Sequence, residues 1–268
     1  MNNNKIKLTV KEKYSEIAKQ AGTSNSNGCC GSSGCCGELE FSMIGNEYDT
    51  VKGHNANADL GLGCGLPTEY ANLQPGQSVL DLGAGAGNDC FVARTIIGDS
   101  GMVTGIDFSS DMVKKARENA SNMQFENMHF VEGDIEEMPF QNATFDVVLS
   151  NCVLNLVPDK HKAFAEIMRV LKPGGHFCVS DVVIKGELPK KIQSDAELFV
   201  GCVSGALNME AYVGIIEKKG FRNIETHKLQ PIMLPDNILK KHLTPKEMNQ
   251  FATGETGIFS ITISATKD

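Results

Sequence analysis

Residues 78–89, SVLDLGAGAGND, join a short apolar run to a glycine-rich turn, and this stretch decides the fold. Gly83, Gly85 and Gly87 permit a tight turn and let a ligand approach the backbone closely. Such a trio alone fits a plain structural turn equally well. The position of Asp107 favours interpreting residues 83–87 as a ligand-binding loop, because Asp107 ends the next predicted strand 20 residues after Gly87. A carboxylate at that place can accept hydrogen bonds from both hydroxyls of a ribose.

Strand and helix patterns alternate beyond this motif, which predicts an α/β fold with a mostly parallel sheet and helices on both faces. We expect an N-terminal helix and a flexible cysteine-rich arm or lid over 1–66, the core over 67–229, and an insertion with the final strand over 230–268. The predicted strands are 78–83, 102–107, 128–133, 145–150 and 176–184, and two later runs, 221–229 and 257–267, complete a seven-stranded sheet.

Composition excludes several classes of protein. Hydrophobic residues make up 41% of the 268 residues, which is enough for a sizeable core and excludes global disorder. Apolar runs fall short of the ~18 residues needed to cross a bilayer, and the N-terminal stretch lacks the apolar centre of a signal peptide. We therefore expect a cytoplasmic protein without a membrane partner. A net charge of −8 argues against a nucleic-acid partner.

The chain contains nine cysteines, an odd number that cannot pair completely within one chain. In a cytosolic protein, cysteines more often indicate metal binding or redox chemistry than structural bridges. Cys152 follows the fourth predicted strand, where ligands bind in open α/β folds, and Cys64 and Cys202 lie among glycines that permit close approach. Three convergent thiolates could bind a trivalent thiophilic element. Each also fits a small buried apolar residue, which is our interpretation of Cys90 and Cys178.

The glycine spacing G-x-G-x-G differs from the G-x-G-x-x-G of NAD-binding folds and resembles motif I of the class I S-adenosylmethionine (SAM) methyltransferases. The resemblance spans roughly residues 75–184 and includes GIDFS, GDIEEMPF and RVLKPGG. It implies a Rossmann-like class I fold with SAM, rather than a dinucleotide, as the cofactor. Asp134 also fits a helix N-cap. The residues expected to bind SAM are Asp81, Gly83, Gly85, Gly87, Asp107, Phe108, Asp134, Ile135 and Asn151.

The chain also resembles the arsenite methyltransferases. The motifs are the N-terminal Cys-Cys pairs, LGLGCG, DLGAGAGNDCF, SNCVLNL, RVLKPGG and GCVSGAL, which together cover nearly the whole chain. The resemblance implies that Cys64, Cys152 and Cys202 bind As(III) and that one N-terminal cysteine is their redox partner. The family has a single such position, whereas this chain offers four candidates, of which the first pair is favoured. The candidates are Cys29, Cys30, Cys35 and Cys36.

The implied reaction transfers methyl groups from SAM to arsenite, which arrives free or as its glutathione conjugate. Arsenic attacks with its lone pair and no proton leaves, so no general base is needed. Methylation formally raises arsenic to the pentavalent state, and oxidation of two cysteines to a disulfide would restore As(III). Thioredoxin or glutathione would then reduce the disulfide. The expected role is the detoxification of arsenic.

Other interpretations stay open at this point. The N-terminal cysteines could bind zinc, although adjacent cysteines rarely both ligate one structural ion, or they could form a mobile arm that delivers arsenite. Tyr14, on the predicted N-terminal helix, fits either packing or a contact with SAM. The chain could instead methylate a small organic molecule with incidental cysteines, sequester metalloids without catalysis, or be a zinc-stabilised module. The six histidines show no metal-ligand spacing.

Overall fold

The fold is a mixed β-sheet with helices on both of its faces, and the computed structural model describes residues 3–20, 48, 50–188, 205–232, 239–240 and 243–268. The strands are β1 (Ser78–Leu82), β2 (Met102–Asp107), β3 (Met128–Glu132), β4 (Phe145–Asn151), β5 (Leu171–Lys185), β6 (Leu207–Asn208), β7 (Arg222–Pro231) and β8 (Gly257–Thr266). The helices are α1 (Asn3–Gln20), α2 (Pro67–Tyr70), α3 (Asn88–Ile97), α4 (Ser110–Asn122), α5 (Lys160–Val170), α6 (Met209–Lys218) and α7 (Pro245–Ala252).

The strand order is β3-β2-β1-β4-β5-β8-β7, and the short β6 pairs with β5 off this path. Strands β1 to β5 are parallel to one another. Strand β8 runs antiparallel between β5 and β7. The predicted α/β class, with a mostly parallel sheet, is confirmed. Because β1 to β4 are parallel, their carboxyl ends meet at one edge, which is where open α/β sheets bind ligands.

Two apolar cores lie on opposite faces of the sheet, because successive side chains of a strand point to opposite sides. On one face, Phe177 of β5 packs against helices α5 and α6, and its ring centroid lies 5.7 Å from that of Phe164. On the other face, Cys178 packs against α3 and α4 together with Cys90. Both of these cysteines are fully buried, which confirms their predicted place in the core.

Local sequence signals fix where several helices begin. Ser109 accepts a hydrogen bond from the backbone N–H of Met112 at the start of α4, and Asp159 caps α5 in the same way. Such caps satisfy N–H groups that have no partner within the helix. Among the helices that the structure describes, none has the length and hydrophobicity needed to cross a membrane.

Candidate active site

A pocket opens at the carboxyl edge of the parallel strands, beneath helix α1. It is bordered by the turns after β1 to β4 and by four residues of α1. Of the residues predicted to bind SAM, Gly87 does not line it. The others line it together: Asp81, Gly83, Gly85, Asp107, Phe108, Asp134, Ile135 and Asn151.

The glycine loop owes its shape to positive backbone φ angles. Gly83 has φ of +66°, and a Cβ there would lie 2.4 Å from a methyl carbon of Val153. Gly85 has φ of +53° and faces open space, so it presents bare backbone to the pocket. Gly87 has φ of +101°, and a Cβ there would lie 2.9 Å from the ring of Phe91. Gly87 therefore serves the packing of the loop on α3, which explains why it does not line the pocket.

The Asp107 carboxylate is held by backbone donors on both of its oxygens. The N–H of Gly85 donates to Oδ2 at 2.9 Å, and the N–H of Ser109 donates to Oδ1 at 2.8 Å. Burial raises the pKa of Asp107, although these N–H groups act to lower it. Because each carboxylate oxygen has two lone pairs, the group can still accept hydrogen bonds from a ligand.

Four polar residues, Tyr48, Asp81, Asp89 and Asn151, form the floor of the pocket. Sequence analysis assigned no role to Tyr48 and Asp89. The hydroxyl of Tyr48 donates to Asp89 Oδ1 at 2.6 Å, and the amide of Asn151 donates to Asp89 Oδ2 at 3.0 Å. Asp81 lies beneath and accepts a hydrogen bond from Cys90 Sγ at 3.1 Å. Burial raises the pKa of Asp89, and burial together with repulsion from Asp89 raises that of Asp81. The floor therefore favours a positively charged ligand group.

Helix α1 closes the pocket on the side of β3. Lys7 forms ion pairs with Asp134 and Glu136, just beyond the end of β3. Lys11 pairs with Glu132 at 2.9 Å and lies 5.2 Å from the centroid of the Phe108 ring. Asp134 also accepts a hydrogen bond from the N–H of Glu136 at 2.9 Å. The residues that follow form a turn rather than a helix, so the helix N-cap interpretation is wrong, and Asp134 instead lines the pocket.

Tyr14, on the same face of α1, lines the pocket as well. The structure therefore places it where it can contact a ligand, which was one of the two interpretations of this residue.

Two of the predicted arsenic-binding thiols meet beside this pocket. The sulfur atoms of Cys64 and Cys152 and a carboxylate oxygen of Asp181 all lie within 4.8 Å of one another, and all three residues are buried. Cys152 also lines the pocket. The thiol cluster, as we call Cys64, Cys152 and Asp181, therefore lies directly beside the space where SAM is expected.

The backbone brings these thiols together through close contacts that only small residues allow. A Cβ at Gly63 would lie 2.9 Å from the Asn151 amide nitrogen, and one at Gly65 would lie 2.6 Å from Ser180 Oγ. The N–H of Cys64 donates to Asn151 Oδ1 at 3.0 Å. The sequence LGLGCG therefore packs directly on the end of β4 and on Ser180 within β5, which positions Cys64 opposite Cys152.

Asp181 lies on β5 and was missed by sequence analysis. It accepts hydrogen bonds from the Tyr212 hydroxyl at 3.1 Å and from the backbone N–H of Val182 at 3.0 Å. Burial raises the pKa of Asp181 to about 7, and burial lowers the pKa of Lys160, whose charge faces this carboxylate. The sequence did contain a signal for this residue, since its carboxylate lies within the apolar run FCVSDVVI. A charged residue is rarely fully buried without a partner or a function.

The remaining predicted thiols, Cys29, Cys30, Cys35, Cys36 and Cys202, lie outside the described residues. The described chain resumes at Gly205 after Cys202. Ala206 belongs to the same apolar cluster as Cys64 and Cys152.

Comparison with known proteins identifies relatives of this chain. Residues 73–234 match the family model described as a methyltransferase domain. The chain is 40% identical to an arsenite methyltransferase of Halobacterium salinarum, over 81% of this chain and 57% of that protein. It is 33% identical to the human arsenite methyltransferase, over 81% of this chain and 58% of that protein. The chain thus spans somewhat more than half the length of these curated relatives.

A solved structure is also similar. It is an arsenic(III) S-adenosylmethionine methyltransferase from Chlamydomonas reinhardtii, with 33% sequence identity and a TM-score of 0.64. The match covers 76% of this chain and 67% of that protein. The identity and the coverage together indicate a shared family as well as a shared fold.

Proposed function

This chain belongs to the arsenite methyltransferase family of methyltransferase-domain proteins, and on that premise we propose that it transfers methyl groups from SAM to trivalent arsenic. The observation that carries the proposal is the convergence of the Cys64 and Cys152 sulfurs within 4.8 Å, beside the pocket at the carboxyl edge of the sheet. A soft, polarisable donor set selects a soft acceptor atom.

SAM occupies the pocket in this proposal. The open backbone at Gly85 accepts the methionine part of SAM, and Asp107 holds the ribose hydroxyls through its remaining lone pairs. The carboxylates of Asp81 and Asp89 offset the charge of the SAM ammonium group. Binding a cation there compensates the cost of two adjacent buried carboxylates, and the raised pKa values of both groups support this assignment.

Arsenic occupies the thiol cluster, bound by Cys64 and Cys152, with Cys202 as the third thiolate. The third ligand rests on the motif GCVSGAL and on Ala206, which lies close to the other two cysteines in the fold. Three thiolates bind As(III) in a pyramid and leave its lone pair free. Because Cys152 lines the SAM pocket, the lone pair of an arsenic bound there can face the methyl group.

Methyl transfer then needs alignment more than proton chemistry. The arsenic lone pair forms the new As–C bond while the C–S bond breaks, and its electron pair returns to the sulfur of SAM. No proton leaves arsenic, so a general base is unnecessary. Positioning the reactants supplies most of the rate.

The product of this step contains pentavalent arsenic, and two thiols supply the two electrons that return it to As(III). One of Cys29 and Cys30 forms the resulting disulfide with a cysteine of the arsenic site. Thioredoxin or glutathione then reduces the disulfide by thiol exchange. This cycle permits repeated methylation and serves arsenic detoxification.

The direct test is formation of S-adenosylhomocysteine that depends on arsenite, with speciation of the methylated arsenicals. Cys152→Ala should lower the rate on the order of 100-fold or more, because misplaced reactants lose the alignment that drives transfer. Cys178→Ala is the matched control, since Cys178 is equally buried but packs against α3 and α4, outside both the thiol cluster and the pocket lining. Wild-type turnover by Cys152→Ala, or product formation that ignores arsenite, would overturn the proposal.

A further inference from the structure

We propose that Asp181 is a catalytic residue that stabilises the positive charge developing on arsenic during methyl transfer. This inference rests on the function proposed above. Its basis is geometric, since a carboxylate oxygen of Asp181 lies within 4.8 Å of both Cys64 Sγ and Cys152 Sγ. An arsenic atom bonded to these two sulfurs would have this carboxylate as its neighbour.

The carboxylate is held rigidly at that place. The Tyr212 hydroxyl donates to Oδ2 and the N–H of Val182 donates to Oδ1, so both oxygens are held by groups of the fold. Asp181 itself is fully buried. A fixed charge in a water-excluded site acts on a nearby atom more strongly than the same charge in water.

Charge moves toward Asp181 as the reaction proceeds. Before transfer, the sulfonium of SAM carries one positive charge and arsenic bound by three thiolates is neutral. When the As–C bond forms, the electron pair of the C–S bond returns to sulfur, so SAM loses its charge and arsenic becomes cationic. A negative charge fixed on the arsenic side therefore stabilises the transition state more than the ground state, which is the requirement for catalysis.

A purely structural role is the alternative interpretation. In that case Asp181 would serve only to accept the hydrogen bond of the buried Tyr212 hydroxyl. Two isosteric variants separate these roles, because Asp181→Asn removes the charge and keeps a hydrogen-bond acceptor, whereas Tyr212→Phe removes the hydrogen bond and keeps the charge. Lys160 faces the same carboxylate from α5 and remains in both variants.

The test is the single-turnover rate of S-adenosylhomocysteine formation by the full chain loaded with As(III) and SAM. We expect Asp181→Asn to be slower by roughly 100-fold, in the range seen when one preorganised electrostatic group is removed. We expect Tyr212→Phe to be slower by less than about tenfold, and equilibrium dialysis to give As(III) and SAM dissociation constants within about threefold of wild type for both.

Several outcomes would overturn the inference. They are an Asp181→Asn rate within about threefold of wild type, an equal loss in both variants, or a loss that weaker As(III) binding explains. Should Asp181→Asn not fold, Asp181→Glu retains the charge and must exceed the rate of Asp181→Ser by at least about tenfold. If the wild-type chain itself shows no arsenite-dependent turnover, the proposed function fails, and that result differs from failure of Asp181 alone.

Discussion

Cys152 has a backbone φ of +58°, a left-handed conformation that residues with a Cβ seldom adopt. It stands directly after β4, and its N–H donates to the Ser180 carbonyl at 2.8 Å. The chain turns at Cys152 instead of continuing the strand, and the Cys152 sulfur therefore lies close to Cys64 and Asp181. Strained residues of this kind are concentrated at functional sites, where surrounding structure maintains them.

The glycine loop supports a prediction that separates folding from ligand binding. Gly83→Ala and Gly85→Ala both place a Cβ at positive φ, but only at Gly83 does it meet Val153. Overpacking adds about 1–3 kcal/mol to the shared backbone strain, so Gly83→Ala should have the lower free energy of unfolding. Gly85→Ala should fold and bind SAM more weakly, because its methyl group enters the pocket.

Chemical denaturation and calorimetric titration with SAM measure the two effects. Equal unfolding free energies for the two variants would contradict the packing argument. Unchanged SAM affinity in Gly85→Ala would show that the ligand does not approach this part of the loop.

Sequence identified the two cysteines of the thiol cluster that the structure describes, but not its acid. Cys152 follows a predicted strand, and Cys64 lies in the glycine-rich LGLGCG motif that carries the family resemblance. Asp181 lies in the middle of an apolar strand, and only tertiary packing against Tyr212 shows that its carboxylate is buried. The Tyr48–Asp89 contact was missed for the same reason, because its partners are 41 residues apart.

Helix α1 provides a prediction at the level of a single element. Lys7 connects this helix to Asp134 and Glu136 at the pocket edge. Lys7→Ala should weaken SAM binding by roughly three- to tenfold, because two partly exposed ion pairs contribute about 1 kcal/mol. Leu8→Ala is the matched control, since that side chain is 57% exposed on the same helix.

Calorimetric titration with SAM measures the difference between these variants at low and high salt. The effect of Lys7→Ala should shrink as salt increases, because exposed charges are screened. Identical SAM affinity for both variants would show that α1 does not contribute to the bound state.

The five predicted parallel strands match β1 to β5 closely, because buried parallel strands give continuous apolar runs. The sheet has eight strands rather than the predicted seven, because the short β6 also pairs with β5. The direction of the last strand was harder to predict. Strand β8 pairs with β5 through ten residues, His176 to Lys185, in antiparallel register. Its apolar run resembles those of the parallel strands, so only the path of the connecting chain determines its direction.

For the molecule as a whole, buried carboxylates determine how stability depends on pH. Burial raises the pKa of Asp181 to about 7, so between pH 4 and 7 the folded state binds a proton that the unfolded state has lost. The ligand-free protein should therefore become more stable as the pH falls from 7.5 to 5.5, by up to about 1.4 kcal/mol per pH unit for one such group.

Carboxylates whose pKa is lowered in the folded state change the stability only at lower pH. The hydrogen bond from Arg169 lowers the pKa of Glu166, so its contribution exists above the unfolded pKa and is lost as the pH falls below it. Urea unfolding of the wild type and of Asp181→Asn across pH 5.5–7.5 tests the account. Asp181→Asn should be the more stable protein at pH 7.5 and show a flatter profile, whereas parallel profiles would contradict the assignment.

The central claim is that distant cysteines form one binding site for arsenic, and arsenic X-ray absorption tests it most directly. The measurement uses the full chain with As(III), with Cys29, Cys30, Cys35 and Cys36 replaced by serine so that they cannot bind arsenic. We predict three sulfur neighbours for arsenic, one fewer with an oxygen in its place in Cys152→Ala, and no change in Cys178→Ala. A Cys152→Ala spectrum identical to that of its parent would contradict the account.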